Sequence, residues 1–439
     1  MLFSIVSGTL SVYAAEDSWV SKAPMREART GAGVAVVNSK IYAIGGANQE
    51  GFRATNEEYD PVKGAWRFKA PMPTPRSYFG IAVYQNKIYC LGGYASGFST
   101  AGVNEVYDPA TDTWETKAAM PTPRLNLRGE VVENKIYLIG GVSHGEQSGV
   151  VSSLNEVYDP ITDEWFDATP IPTAVSSYAS AVVDNKIYVI TSKLNQIYDA
   201  ENDSWSLGAP APSPVVLASA GATTGVYAPE RIYVFGADAD LPYWQLTTRK
   251  FTAQSYDPKT DSWTACGSIP TERYSPSVAV VDDLLYVIGG CTIEFRTDRF
   301  TPNPIYTYSA VNEQYTPFGY GTVPLAVHVV SPENKTYTAN NVSLTFTVNK
   351  PVVWMGYSLD GQAQVTITGN TTLAGLTSGL HNVTVYAKDT FENTGTSETI
   401  TFSIAQPEPS PVTIVAAAVA IPVAIVGVGL LLYRKRRNR

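Results

Sequence analysis

Four arginines recur at one place in a repeated phrase. Arg29, Arg76, Arg124 and Arg273 each lie thirteen residues before the tyrosine of an Ile-Tyr or Leu-Tyr pair. The same count lands on Val175 and Ala220 in two further copies, and Arg128 adds a fifth guanidinium where a glycine is otherwise found. A guanidinium is a planar fork of donors that fits a carboxylate, a phosphate or a sugar acid. Five of them on one face of a chain with net charge -9 would make a local positive mouth. The competing use is structural, pairing with neighbouring carboxylates or backbone carbonyls. Aromatic residues crowd the same loops: Tyr243 and Trp244 in residues 237–253, Phe295, Phe300, Tyr306 and Tyr308 in residues 291–309, and Phe52 and Phe98 earlier. Aromatics and arginines on loops are the composition of binding hot spots. The candidate ligand-binding residues are therefore Arg29, Arg76, Arg124, Arg128, Arg273, Tyr243, Trp244 and Phe295.

Other chemistries find little to work with. Only three histidines (His144, His328, His381) and three cysteines (Cys90, Cys266, Cys291) are present. That is too few for a zinc site in the repeats, and no Ser-His-Asp set, phosphate loop or paired-carboxylate pattern occurs. No catalytic residue, metal ligand or cofactor is assigned, and the chain reads as a binder rather than an enzyme. Acid–base work would need a carboxylate with a shifted pKa; Glu130 is the best placed, though no spacing singles it out. The acidic balance argues against nucleic acid. The odd cysteine count is not a disulfide framework, and a Cys266–Cys291 bridge stays open.

The elements that must hold these residues are legible as six copies of one unit. Lys-Ile-Tyr-x-x-Gly-Gly appears at Lys40, Lys87 and Lys135; Asn-Glu-x-Tyr-Asp-Pro follows at Asn56, Asn104 and Asn155, and then Trp66, Trp114 and Trp165. Three weaker copies come after, with Thr191-Ser192 and Gly236-Ala237 replacing the doublet in the fourth and fifth. Short, turn-bounded apolar runs predict four strands per copy, buried on both faces. The Asp-Pro-x-x-Asp links have turn chemistry, and a glycine doublet makes room for a ring or a neighbouring backbone. Trp19 precedes the first full copy while the sixth lacks a tryptophan. Ser18–Ser21 is thus expected to supply the last strand of the last unit, removing open edges.

The period of about 50 residues, the Gly-Gly doublet, the spaced tyrosine and the tryptophan resemble Kelch repeats. The resemblance implies a six-bladed β-propeller over residues 18–320. Copper oxidases of the galactose oxidase type share that architecture, but their histidine ligands have no counterpart here. Sialic-acid mutarotases share it too. An arginine mouth with Glu130 is compatible with such an isomerase, which is the alternative function.

Beyond the repeats, residues 323–405 alternate apolar and polar and predict a β-sandwich of about seven strands. Its Ser331-Pro332-Glu333-Asn334 opening and Tyr357-Ser358-Leu359-Asp360-Gly361 resemble the Ig-like modules of archaeal surface proteins. Residues 1–15 resemble a signal peptide, possibly truncated, since they lack a positive start. After a Pro-rich linker (406–411), Val412 to Tyr433 carries no charge. At about 1.5 Å per residue it spans about 33 Å, against about 30 Å of hydrocarbon. The basic tail 434–439 fixes that end in the cytoplasm. Ala416, Ala420 and Ala424 could seat a helix dimer. The fold class is all-β: propeller, sandwich and one transmembrane helix. The expected role is a single-pass cell-membrane protein that binds a protein or glycan outside the cell; the third reading is a surface-layer spacer. Asn202, Asn334, Asn341, Asn370 and Asn382 begin Asn-x-Ser/Thr triplets and are candidate glycan acceptors.

Overall fold

A computed structural model describes residues 15–96, 99–144, 149–213, 215–238, 250–298 and 301–406, all as strands and loops. Two compact units divide at Val323 and Pro324.

The first unit contains six four-stranded antiparallel sheets among its described residues. Sheet one runs Gly33–Val37, Lys40–Ile44, Asn56–Asp60 and Ala65–Lys69. Sheets two to five repeat that order, with first strands at Gly80–Tyr84, Arg128–Val132, Ala179–Val183 and Val216–Ala222. In sheet six, Ser277–Val281, Leu284–Ile288 and Asn312–Thr316 are joined by Ser18–Lys22, so that Trp19 stands opposite Tyr315. The second strands explain the stacking. Ile-Tyr-Ala-Ile of Lys40–Ile44 is buried along its whole length, as a strand covered on both faces requires. Ile44 and Tyr42 pack on Phe79, Ile88 and Tyr107 of sheet two. Equivalent cores fill each later gap, and the last joins Ala279 and Tyr286 of sheet six to Ile41 and Tyr59 of sheet one. The sheets therefore form a closed ring.

Polar tethers repeat between the sheets. Each tryptophan indole donates to a carbonyl in the linker before its sheet: Trp66 to Ala23 (2.8 Å), Trp114 to Ala70 (2.9 Å), Trp165 to Ala118 (3.0 Å), Trp205 to Thr169 and Trp263 to Ala209 (2.9 Å each). Trp19 donates to Gly267 O at 3.0 Å and completes the set. The second aspartate of the turns in sheets two to five does more than bend the chain. Asp112 accepts from the Tyr107 hydroxyl at 2.6 Å and from Ala70 N at 2.9 Å, riveting one sheet to the linker before it. Asp163, Asp203 and Asp261 repeat this, and Asp17 does so for Tyr315 and Gly267.

The glycine doublet works by close approach. Gly92 has φ +67°, and a Cβ there would stand 2.7 Å from Arg124 O, while Gly93 N donates to that same oxygen at 2.8 Å. In sheet four, which has no doublet, the Ser192 hydroxyl donates to Val215 O at 3.1 Å instead.

The second unit has two sheets around one core. Val327–Ser331, Val342–Val348 and Thr371–Leu373 make the smaller; Trp354–Leu359, Gly379–Lys388 and Ile400–Ile404 are the long strands of the larger. Leu344 and Val329 from one meet Val383, Val385 and Phe402 from the other. A buried Lys350–Asp389 ion pair (2.5 Å) lies in this unit. No helix of the described residues is long and apolar enough to cross a membrane; Val412–Tyr433, the linker 407–411 and residues 1–14 fall outside the described residues.

Candidate functional site

The structure sends the arginines to two different places. Arg29, Arg76, Arg124 and Arg273 are fully buried. Each is consumed by a glutamate of its own sheet: Arg29 by Glu57 (2.6 Å), Arg76 by Glu105, Arg124 by Glu156 (2.7 Å) and Arg273 by Glu313 (2.6 Å). Each also donates through Nη2 to a second-strand carbonyl, as Arg76 does to Cys90 O at 2.8 Å. The expected positive mouth is thus corrected: these four have no surface to offer a ligand. The count to the tyrosine places each arginine just ahead of its first strand but does not fix the direction of its side chain, and a buried glutamate in the third strand pulls the guanidinium inward.

Sheets four and five confirm this pairing by lacking both partners. Val175 and Val215 replace the arginine, and Gln196 and Gln254 replace the glutamate. A lone buried carboxylate would be costly. The neutral amide instead bonds the local backbone, Gln196 to Thr173 N at 2.9 Å and to Thr173 O at 3.2 Å. Val215 rather than Ala220 holds the fifth position because the link from Ala222 to Ile232 is longer than the tight turn from Val37 to Lys40, while Val215 still precedes Gly221 as Arg29 precedes Ala35.

Arg128 differs. It opens the third sheet's first strand and crosses to sheet five, where Nη2 donates to Ala218 O and Ser219 Oγ, both at 2.9 Å. Among the described residues it has no carboxylate partner within ion-pair distance. Two residues on, Glu130 stands where the other sheets have Ala35, Ala82, Ala181, Gly221 and Ala279, each opposite the strand-two tyrosine. Its carboxylate accepts from the Ser180 hydroxyl. Burial pushes this carboxyl up to about 7, opposed by the Ser180 bond and the Arg128 charge. Both residues line a cavity of about 320 Å³ enclosed by the first strands, with Ser180, Ser219 and Ser277. They are the only charged side chains in that lining.

At the end where the arginines enter, the channel narrows to a collar. Gly31, Tyr78, Asn126, Ser177, Leu217 and Ser275 hold equivalent positions, and all have positive φ. This backbone lets Tyr78 N donate to Gly31 O, Asn126 N to Tyr78 O, Ser177 N to Asn126 O and Ser275 N to Leu217 O. A small chamber of about 40 Å³ lies at this level, between the collar and Arg128.

Tyr243 and Trp244, with Phe98 and Phe300, lie outside the described residues. Phe295 and His144 sit in hairpin strands Cys291–Asp298 and Val142–His144. Phe52 packs edge-on against Tyr94. Cys90, Cys266 and Cys291 are free, so the bridge left open is not formed. No cluster that could hold a metal occurs among the described residues. Sequence reasoning missed Ser180 and Ser219; the signal is that both are hydroxyls in strands otherwise rich in Ala, Gly and Val.

A ring of stacked four-stranded sheets, with the Tyr–Asp and Trp tethers repeating around it, is the Kelch-type β-propeller, and the first unit has that fold. A family model described as Kelch motif matches residues 28–73, 75–121 and 123–172. The Kelch-like protein terF of Aspergillus terreus is 28% identical over 142 residues, which are 32% of this chain and 21% of that protein. The chain thus spans about a fifth of that relative's length. Among solved structures, that of YjhT matches with a TM-score of 0.52 and 17% identity, covering 64% of this chain and 99% of its own. At that identity the likeness is one of fold alone.

Proposed function

We infer that the six sheets are the blades of a propeller whose central channel binds a small, anion-bearing polar ligand, with a sugar acid as the class. The observation that carries this is the isolation of Arg128 and Glu130, the sole charges in a cavity otherwise lined by serine, glycine and small apolar groups. A guanidinium with no carboxylate at ion-pair distance suits a ligand carboxylate. A carboxyl near neutral pKa, already bonded to Ser180, suits a hydroxyl. The second unit is read as an Ig-like module that carries the propeller outside the cell, with Val412–Tyr433 as anchor. All five Asn-x-Ser/Thr asparagines are exposed, which fits glycan acceptors on an exported protein. The test is a glycan array with the full chain, repeated with Arg128→Met and Glu130→Gln. Capture of acidic sugars that both substitutions abolish supports the reading; capture unchanged in both removes the channel from it.

A second reading, a carbohydrate isomerase of the sialic-acid mutarotase kind, is favoured by Glu130 alone, since a group titrating near 7 can both give and take a proton. Acceleration of sialic-acid anomer exchange, followed by NMR and lost in Glu130→Gln, would promote it over simple binding. Neither capture nor turnover would leave the surface spacer.

A further inference from the structure

On the collar face, five sheets raise a hairpin between their second and third strands, and sheet four does not. There the chain turns at once through Thr191–Leu194, held by Thr191 N to Leu194 O (2.9 Å) and by Leu194 N to the Thr191 hydroxyl (3.2 Å). The missing hairpin leaves a notch of about 470 Å³ whose walls include Val151, Val175, Leu194, Val216 and Leu217. Val151 is 45% exposed there, a large apolar side chain facing water at the rim.

The notch shares lining residues with the chamber under the collar. Ser177 and Leu217 line both the notch and the small chamber under the collar. Arg128 and Ser277 in turn line both that chamber and the main channel. The collar bonds run from Gly31 through Tyr78 and Asn126 to Ser177, then separately between Leu217 and Ser275. Among the described residues no backbone bond joins Ser177 to Leu217, nor Ser275 to Gly31. The run of collar bonds is therefore broken at two places, and the notch meets it at one of them, between Ser177 and Leu217. Directly below, Arg128 bridges sheets three and five.

We propose that this notch is an apolar subsite continuous with the channel, holding the hydrophobic substituent of a ligand whose anionic sugar lies at Arg128 and Glu130. The ligand class is an alkyl or acyl derivative of a sugar acid: a charged head for the channel and an apolar chain running out between Ser177 and Leu217. Burying such a chain against the valines and leucines strengthens binding in proportion to the apolar area removed from water. This proposal rests on the channel reading above.

The test is calorimetric titration of the full chain with methyl and octyl β-D-glucuronide. Two variants sit on the notch rim at exposed positions: Ala174→Trp fills it and Val151→Asp makes it polar. The octyl compound should bind at least about tenfold tighter than the methyl compound. Both variants should erase that gain and leave methyl glucuronide binding and near-UV circular dichroism unchanged. Equal affinity for the two compounds, or a gain that survives Ala174→Trp, overturns the subsite while the channel reading stands. Binding of neither compound overturns the channel reading, and the subsite falls with it.

Discussion

Arg76 and Arg128 carry the same functional group into opposite circumstances, and their substitution should separate structure from binding. Arg76 is fully buried against Glu105. Removing one partner of such a pair strands the other, so Arg76→Ala should lower stability by about 3–5 kcal/mol in denaturant unfolding. The double change Arg76→Val with Glu105→Gln copies what sheets four and five already contain, and it should recover most of that loss. Arg128→Met should leave the unfolding midpoint much closer to the parent. Glu130 offers a titration test. Its folded pKa is raised above that of the unfolded chain by burial. Its contribution to stability is thus fully present below the unfolded value near 4.3 and is lost as pH rises through about 7. Melting temperature should fall across that interval in the parent protein, and the fall should be smaller in Glu130→Gln.

Sheets are held to each other by short polar rivets as much as by apolar stacking. The Tyr198 hydroxyl and Thr169 N bond Asp203, and Ala209 N and the Tyr256 hydroxyl bond Asp261; these contacts hold both carboxyls below the usual aspartate range. A depressed folded pKa gives stability that is present above the unfolded value near 3.9 and lost as pH falls through the folded one. The ring should therefore weaken below about pH 4, and Asp203→Asn with Asp261→Asn should flatten that acid limb of a melting-temperature profile. This level was the most legible in the sequence. The Gly-Gly doublet, the tyrosine and the tryptophan each perform a contact suited to their residue type, so the repeat shows through. The site was less legible. Arg128 and Glu130 break a pattern instead of forming one, and whether a first-strand residue faces the channel or the neighbouring sheet depends on register. In sheet five a longer link between the first two strands, Ala222 to Ile232, moved the expected position from Ala220 to Val215. Ser180 reaches Glu130 from the neighbouring sheet, a pairing that no spacing along the chain encodes.

At the scale of the whole first unit, the seam in sheet six decides whether the ring persists. Trp19 packs against Phe235 and Tyr315, and Asp17 rivets Tyr315 to Gly267. Deleting residues 15–22 would expose the edge of Asn312–Thr316 and strip the Trp19 contacts from the last core. The expected outcome is a much lower melting temperature, with sheet-six amides exchanging first in hydrogen-exchange measurements. Sheet-three amides should keep their protection longer.

Asp17 and its partner Tyr315 are 298 residues apart in the chain. At about 5–20 residues per second of synthesis, the first strand emerges roughly 15–60 seconds before the edge it must pair with exists. For that interval every nascent copy carries an unmatched strand, and so does its neighbour on the same messenger. The latch that makes the finished molecule durable is also the point at which two half-made chains can be exchanged for one another.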